Sequence, residues 1–357
     1  METPYPALLT RRRLTLAALL VCGIIIVVLA ARYALAGFQW DRFSAALAAI
    51  DPLWATASLL LMLGTYLGRA LRWQVMLYPI KPDANLRTLI SATVVGFTAI
   101  VFFGRPGEFV RPWLISVRER VSLSSQLATW FLERIFDLLC VVLLFGFALS
   151  TVGNGATVPL RMQPILHAGG YFALTVGLLC VAILVISARF SDAAHRWSQQ
   201  ISARLPIRLG GLLQTASSSL LNGMKSTGSP RLMAQIAAYT AVEWALITGS
   251  MHSLFKAFGP TASFAFTDTL VFTGFIAFGG AVQLPGIGGG MQVAAILVLT
   301  ELFSLSGENA TACALLVWIS TWLSVVPFGL FFAFTEGLHW SSLRNIKSAK
   351  GAAGTTN

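Results

Sequence analysis

The chain has 357 residues, of which 56% are hydrophobic and 11% charged, with a formal net charge of +11. A soluble domain carries about 25% charged residues, so this composition, with a mean hydropathy of +0.75, excludes an ordinary soluble protein and defines a polytopic membrane protein. The positive balance does not point to nucleic acid, because the basic residues lie between apolar spans rather than in one patch.

Cys22, Cys140, Cys180 and Cys313 all fall in apolar segments, with no CxxC pair and no histidine cluster. Neither a disulfide framework nor a metal site is indicated, and no cofactor is expected. Arg11, Arg12 and Arg13 precede an apolar run from Leu14 to Ala31. Ala34-Leu35-Ala36 has the form of a signal-peptidase site, but the run exceeds the usual length of about 7–15 residues and Arg32 interrupts the approach. An uncleaved first helix is predicted, followed by an outer loop, together residues 1–50.

Pro52 starts the next span, to about Trp73. Arg69 and Arg72 lie three apart on one face near its end, and Lys81 and Arg87 follow, so this end reads as cytoplasmic. Snorkelling to the headgroups is the expectation for Arg69 and Arg72, with a lipid-phosphate clamp as the alternative. Thr88 to Phe103 is free of charge, and then Gly104-Arg105-Pro106-Gly107-Glu108 breaks the helix. Irregular backbone survives at membrane depth only when buried in protein or facing a wet cavity. Charges at such a break mark a candidate binding site. Both flanks are basic, with Arg111, Arg118 and Arg120 following the break, so residues 88–120 are predicted to form a re-entrant hairpin.

Ser124 to Ser150 is a full span whose first third holds Glu133, Arg134 and Asp137. Arg134 and Asp137 can pair along the helix, and Glu133 and Asp137 share a face. Charges at this depth point to a partner or a cavity. A span from about Ala168 to Ala188 returns to the cytoplasm. The segment Arg189 to Pro230 carries two apolar stripes of helical period, which read as amphipathic helices at the cytoplasmic interface.

Leu232 to Phe255 runs outward with Glu243 near its middle, a placement that calls for a partner or a function. Phe264 to Leu284 is apolar except for Asp268, and Pro285-Gly286-Ile287-Gly288-Gly289-Gly290 is a second break. Residues 264–303 read as a second hairpin, entering from the outside. Ala310 to Phe334 is the last span, ahead of a basic tail, 337–357, expected to be disordered and cytoplasmic. Twenty of the 25 Lys and Arg fall on the side predicted as cytoplasmic. That bias places both termini inside and the protein in the cell (inner) membrane.

The expected fold is thus all-α, with about six full spans plus two broken re-entrant hairpins arranged as an inverted repeat. Residues 51–150 form the first unit, 151–230 the connection with its span and amphipathic helices, and 231–336 the second unit. Two units of opposite topology, each with a broken segment in the same place, suggest a transporter-like site where the breaks meet. Half-helix N-termini at Pro106-Gly107 and Gly288-Gly289 would offer free N–H groups to an anion. Arg105 would add a phosphate-shaped fork, and Glu108 would offset it or pair with Arg111. Glu133 and Glu243 would face a cationic headgroup or carry a proton.

The run Gly104-Arg105-Pro106-Gly107-Glu108-Phe109-Val110-Arg111, followed by Leu132-Glu133-Arg134-Ile135-Phe136-Asp137, resembles the lysylphosphatidylglycerol synthase transmembrane (flippase-like) family. Arg69-Ala70-Leu71-Arg72-Trp73 and Pro285-Gly286-Ile287-Gly288 also match its pattern, and the resemblance covers roughly residues 15–335. It implies a domain that moves lipids between leaflets, without the soluble aminoacyl-transferase fused to it in bifunctional relatives. The family often carries a glutamate after Pro-Gly-x-Gly, where this chain has Met291-Gln292. The expected substrate is a phosphate-bearing lipid: an anionic or aminoacylated phospholipid, or a polyprenyl-phosphate-linked lipid. A lipid-synthesising enzyme is a candidate partner. The alternatives are an enzyme that modifies a lipid headgroup, for which no catalytic or donor-binding motif is seen, and a non-transporting subunit of a lipid-modifying complex. The residues expected to meet the substrate are Arg105, Gly107, Glu108, Arg111, Glu133, Arg134, Asp137, Glu243, Pro285, Gly286 and Gly288.

Overall fold

The computed structural model describes residues 38–151, 163–189, 230–280, 283–284 and 288–335. The first apolar run, the segment 190–229, Pro285, Gly286 and the basic tail lie outside the described residues.

The described chain is helical apart from one two-residue ladder. A short helix, α1 (Trp40–Ala48), precedes α2 (Pro52–Leu77), which starts under an Asp51 cap with Pro52 at its first position. The cap oxygen accepts from the Leu53 N–H at 2.8 Å. α1 lies in the expected outer loop. Phe43, Ala46 and Leu47 pack it against the core, and Gln39 N–H donates to Glu308 at 3.4 Å. α2 continues one turn beyond the expected end at Trp73.

α3 (Leu86–Phe103) ends at Gly104, whose φ of 67° with ψ of −145° suits only a residue without a side chain. A 3-10 turn, Arg105–Phe109, leads into α4 (Val110–Glu119). α4 folds back along α3. Arg118 donates to the Ser91 hydroxyl at 2.7 Å, and Lys81 clasps Glu119 at 3.2 Å. Residues 81–85 and 119 therefore stand together at the open end of a helical hairpin.

α5 (Leu123–Ser150), capped by Ser122, packs against α6 (Gln163–Arg189). α7 (Pro230–Ala257) forms with α2 the most extensive helix pair among the described residues. α8 (Phe266–Gly279) starts where the Asp268 carboxylate accepts from the Ala265 N–H at 2.9 Å. The break after it is an antiparallel ladder, β1 (Gln283–Leu284) with β2 (Gly288–Gly289). α9 (Gly290–Leu297) then returns along α8, ending in a π turn, Val298–Leu302. The two ends of this second hairpin meet through the rings of Phe264 and Phe303, 4.8 Å apart.

α10 (Gly307–Thr335) closes the bundle. It packs on α3, where the Thr98 hydroxyl donates to Val325 C=O at 3.1 Å, close to Pro327. The other hairpin does the same with the other unit: α8 packs on α5.

Among the described residues, three helices are long and apolar enough to cross a bilayer: α3, α6 and α10. α2 reaches the same mark only together with α1, across a 77° bend. α5 and α7, 28 residues each, are long enough but carry more polar groups. The core divides in two. One apolar cluster surrounds α7, the second hairpin and α10. The other joins the end of α2, including Trp73, to the first hairpin.

Candidate functional site: a buried ion cluster beside a cleft

α5 places Glu133 and Asp137 four residues apart on one face, and Arg134 beside them. α2 meets that face with Arg69, Arg72 and Trp73. The extra turn of α2 puts both arginines inside the protein: Arg72 is 0% exposed. Its guanidinium contacts Glu133 at 2.5 Å, Asp137 at 2.6 Å and Glu243 at 3.2 Å, and donates to Thr240 at 2.8 Å. Arg69 reaches Glu243 at 2.5 Å. The snorkelling expected for this pair is overturned. α2 does not end there, and three carboxylates of α5 and α7 take the place of water.

Arg111 enters from α4. Gly96 of α3 lets it approach, since a Cβ added at Gly96 would stand 2.6 Å from the Arg111 Cβ. Arg111 pairs with Glu133, and its guanidinium lies over the Trp73 ring at 4.4 Å and the Phe97 ring at 5.5 Å. Trp73 also donates its indole N–H to Glu133 at 3.0 Å. Arg134 completes the set, 3.5 Å from Glu133 and 3.4 Å from Asp137. Four guanidinium groups thus face three carboxylates. Breaking one member away from such a buried set typically costs about 3–5 kcal/mol, because its partners stay buried without a counter-charge.

The set is not closed. Arg111 Nη1 and Arg134 Nε are buried with no hydrogen-bond partner among the described residues. Both residues line a narrow cleft, together with Gly96, Phe97, Ile100, Glu108 and Trp130. Arg105 sits at the adjoining turn with a side chain 47% exposed, paired with Glu108. It also donates to Gly280 C=O at 2.9 Å, at the end of α8. The break of the first hairpin thus touches the second hairpin through one arginine. Phe102, Phe103, Phe109 and Phe278 stand exposed on the flanking positions.

Of the expected site residues, Arg111, Glu133, Arg134, Asp137 and Glu243 come together in the cluster, and Arg105 and Glu108 pair at its edge. Glu108 therefore pairs with Arg105 rather than Arg111. Glu133 and Glu243 face arginines. Gly107 is buried, and its N–H is used by Gly104 C=O at 2.9 Å. It offers no free donor, because the 3-10 turn consumes it and α4 begins only at Val110. An added Cβ at Gly107 would run into the Ala99 backbone. Gly288 lies in the ladder opposite Leu284, and α9 begins at Gly290. The two half-helix N-termini expected at Gly107 and Gly288 are thus replaced by a 3-10 turn and a ladder. Pro285 and Gly286 lie outside the described residues. Trp73, Phe97 and Thr240 belong to the site without having been expected there. The adjacency of Trp73 to Arg72 was their one legible signal.

An all-helical membrane protein with a buried ion cluster beside a cleft is the class this geometry defines. Residues 17–329 match the family described as the lysylphosphatidylglycerol synthase TM region, and the chain belongs to that family. No match was found among curated proteins or among solved structures.

Proposed function

We propose that the protein moves a phosphate-bearing lipid between the leaflets of the cell (inner) membrane, with the headgroup passing through the cleft beside the ion cluster. The observation that carries the reading is a cleft lined by Arg111 and Arg134, two arginines of a cluster in which Arg69 Nε, Arg72 Nε, Arg111 Nη1 and Arg134 Nε are buried without a hydrogen-bond partner among the described residues. A buried guanidinium with a spare N–H lacks an acceptor. A phosphate oxygen supplies one, while acyl chains stay on the aromatic rim. Arg105, paired with Glu108 at the edge, would receive the headgroup first.

The packing supports an inverted repeat. Exchanging α2, α3, α4, α5 for α7, α8, α9, α10 turns packed pairs among these eight helices into other packed pairs: α3 with α10 becomes α8 with α5, and α2 with α10 becomes α7 with α5. α2 and α7 pair with each other, as elements on a pseudo-two-fold axis must. In this reading α2, α5, α6, α7 and α10 cross the membrane with the first apolar run. The hairpins re-enter from opposite faces, and both termini are cytoplasmic. A lipid-synthesising enzyme would supply the substrate.

Reconstitution into liposomes carrying labelled anionic, aminoacylated and polyprenyl-phosphate lipids tests the function. Faster leaflet exchange of at least one of them with protein than without is expected. Equal exchange for all would overturn translocation. Single cysteines at Arg87 and Arg120 test the re-entrant first hairpin: labelling from opposite faces would exclude it.

A further inference from the structure

Each hairpin rests on a long helix of the other half at one glycine. In the first contact the glycine is on the long helix: a Cβ added at Gly329 of α10 would overlap the Thr98 hydroxyl of α3. In the second contact it is on the hairpin: a Cβ added at Gly274 of α8 would overlap the Phe145 ring of α5. Thr98 and Gly274 lie equally far before Gly104 and Gly280, the glycines that cap α3 and α8. Phe145 and Gly329 lie equally far from the starts of α5 and α10. The two contacts are thus matching joints in which one side chain seats in a glycine notch, with knob and notch exchanged between the halves.

Within each hairpin the arms are locked together. A Cβ at Gly107 would run into the Ala99 backbone, and one at Gly279 would stand 2.5 Å from the Ala294 Cβ. Each hairpin therefore moves, if at all, as one body. The two are held differently. Thr98 is bonded in its notch, donating to Val325 C=O at 3.1 Å, and Arg111 ties the same hairpin to Glu133 of α5. Phe145 is seated by apolar contact, its ring 4.8 Å from that of Phe275 and 5.6 Å from that of Phe278. Of the charges on the second hairpin, Asp268 accepts from the Ala265 N–H at its own root, and Glu301 is exposed. Thr269 bonds His252 of α7 at 2.9 Å near that root, and at the far end Gly280 C=O accepts from the half-exposed Arg105. Directional bonds and buried ion pairs fix one geometry, whereas a ring in an apolar notch can slide into a neighbouring arrangement.

We propose that the second hairpin, α8 with α9, is the moving element of this fold: it rocks as one body on the Phe145–Gly274 joint between two arrangements, while the first hairpin stays pinned to α10 and α5. The motion goes beyond the reading of the cleft as a lipid path and is measured without a transported lipid.

The test uses the full chain in liposomes, its four cysteines replaced by alanine, with pairs of spin labels read by pulsed EPR. One pair joins Val293→Cys of α9 to Leu60→Cys of α2, and the other joins Phe102→Cys of α3 to the same Leu60→Cys; all three side chains are exposed. The pair on the second hairpin is expected to show two distances, the smaller population holding about a tenth or more. The pair on the first hairpin is expected to show one. Gly274→Ala, which fills the notch, should reduce the two distances to one. A single distance for the second hairpin overturns the proposal. So does a second distance of equal weight for the first hairpin, and so does a Gly274→Ala protein that keeps both distances in native proportion. If that variant fails to fold, the two pairs on the otherwise native chain still decide. Two distances without leaflet exchange would sink translocation and leave the motion standing. Leaflet exchange by a protein whose second hairpin shows one distance would do the reverse.

Discussion

Around the first hairpin, α5 carries Glu133, Arg134 and Asp137 against the arginines of α2. The helix that follows the second hairpin, α10, carries Ser320 and Ser324 instead, at 3.4 Å from Ser58 and Tyr66 of α2. Both halves bring a helical hairpin back on itself and rest it against a long helix of the other half. One half does so around a cluster of seven charged groups, six of its own and Glu243 from α7 of the other half, while the other does so with hydroxyls and rings such as the Phe255–Phe272 pair. Small hydroxyl and apolar contacts therefore suffice to hold this arrangement of helices. The charges go beyond what the corresponding contacts of the other half use, which supports the proposed role in recognition.

The largest break in that contrast should come from Arg72→Ala. It strands Glu133, Asp137 and Glu243 without their shared cation, at about 3–5 kcal/mol. Loss of monodisperse protein and a large drop in melting temperature in detergent are expected; a native-like melt would mean that water reaches the cluster. Gly96→Ala comes next. It forces α3 and α4 apart at Arg111 and should cost about 1–3 kcal/mol, with lipid binding falling in step with the melt. Arg105→Ala should leave the melt close to native, since that side chain is half exposed. It should slow leaflet exchange about tenfold, which corresponds to about 1.4 kcal/mol; unchanged exchange would remove Arg105 from the path. Ser320→Ala, in the uncharged half, should cost only about 0.6 kcal/mol, the usual size of one interhelical hydroxyl bond in a membrane protein. A cost comparable to Arg72→Ala would erase the distinction between the halves.

The helix starts were legible where capping chemistry is local. Pro52 opens α2 as read, and the apolar runs place α3 and α10. Glu133, Arg134 and Asp137 could be found from spacing along one helix. Their partners could not, because Arg72, Arg111 and Glu243 belong to three other helices. Arg69 and Arg72 were misplaced because a helix end was read one turn early, and one turn decides between headgroups and core. The glycine-rich breaks announced irregular backbone but not its kind. The first break is a 3-10 turn that uses the Gly107 N–H, and the second is a two-residue ladder just ahead of the helix at Gly290. α1 was missed although Trp40, Phe43 and Leu47 recur at helical spacing, since nine residues are too few to stand out beside the spans.

The pairing of α2 with α7 also has a consequence for the order in which the protein is made. The first hairpin is stitched by neighbours in sequence, Ser91 to Arg118 and Lys81 to Glu119, and can close soon after both arms emerge. Arg72 finds Glu133 and Asp137 within the same early stretch. Arg69 has no such local recourse among the described carboxylates: its ion-pair partner is Glu243, on a helix whose bond to α2 at Ser58–Ser250 spans 192 residues of chain. Until α7 is synthesised and inserted, α2 carries an arginine without its counter-charge. A nascent chain stopped before Glu243 would hold that charge on α2 without the carboxylate that pairs with it in the finished fold.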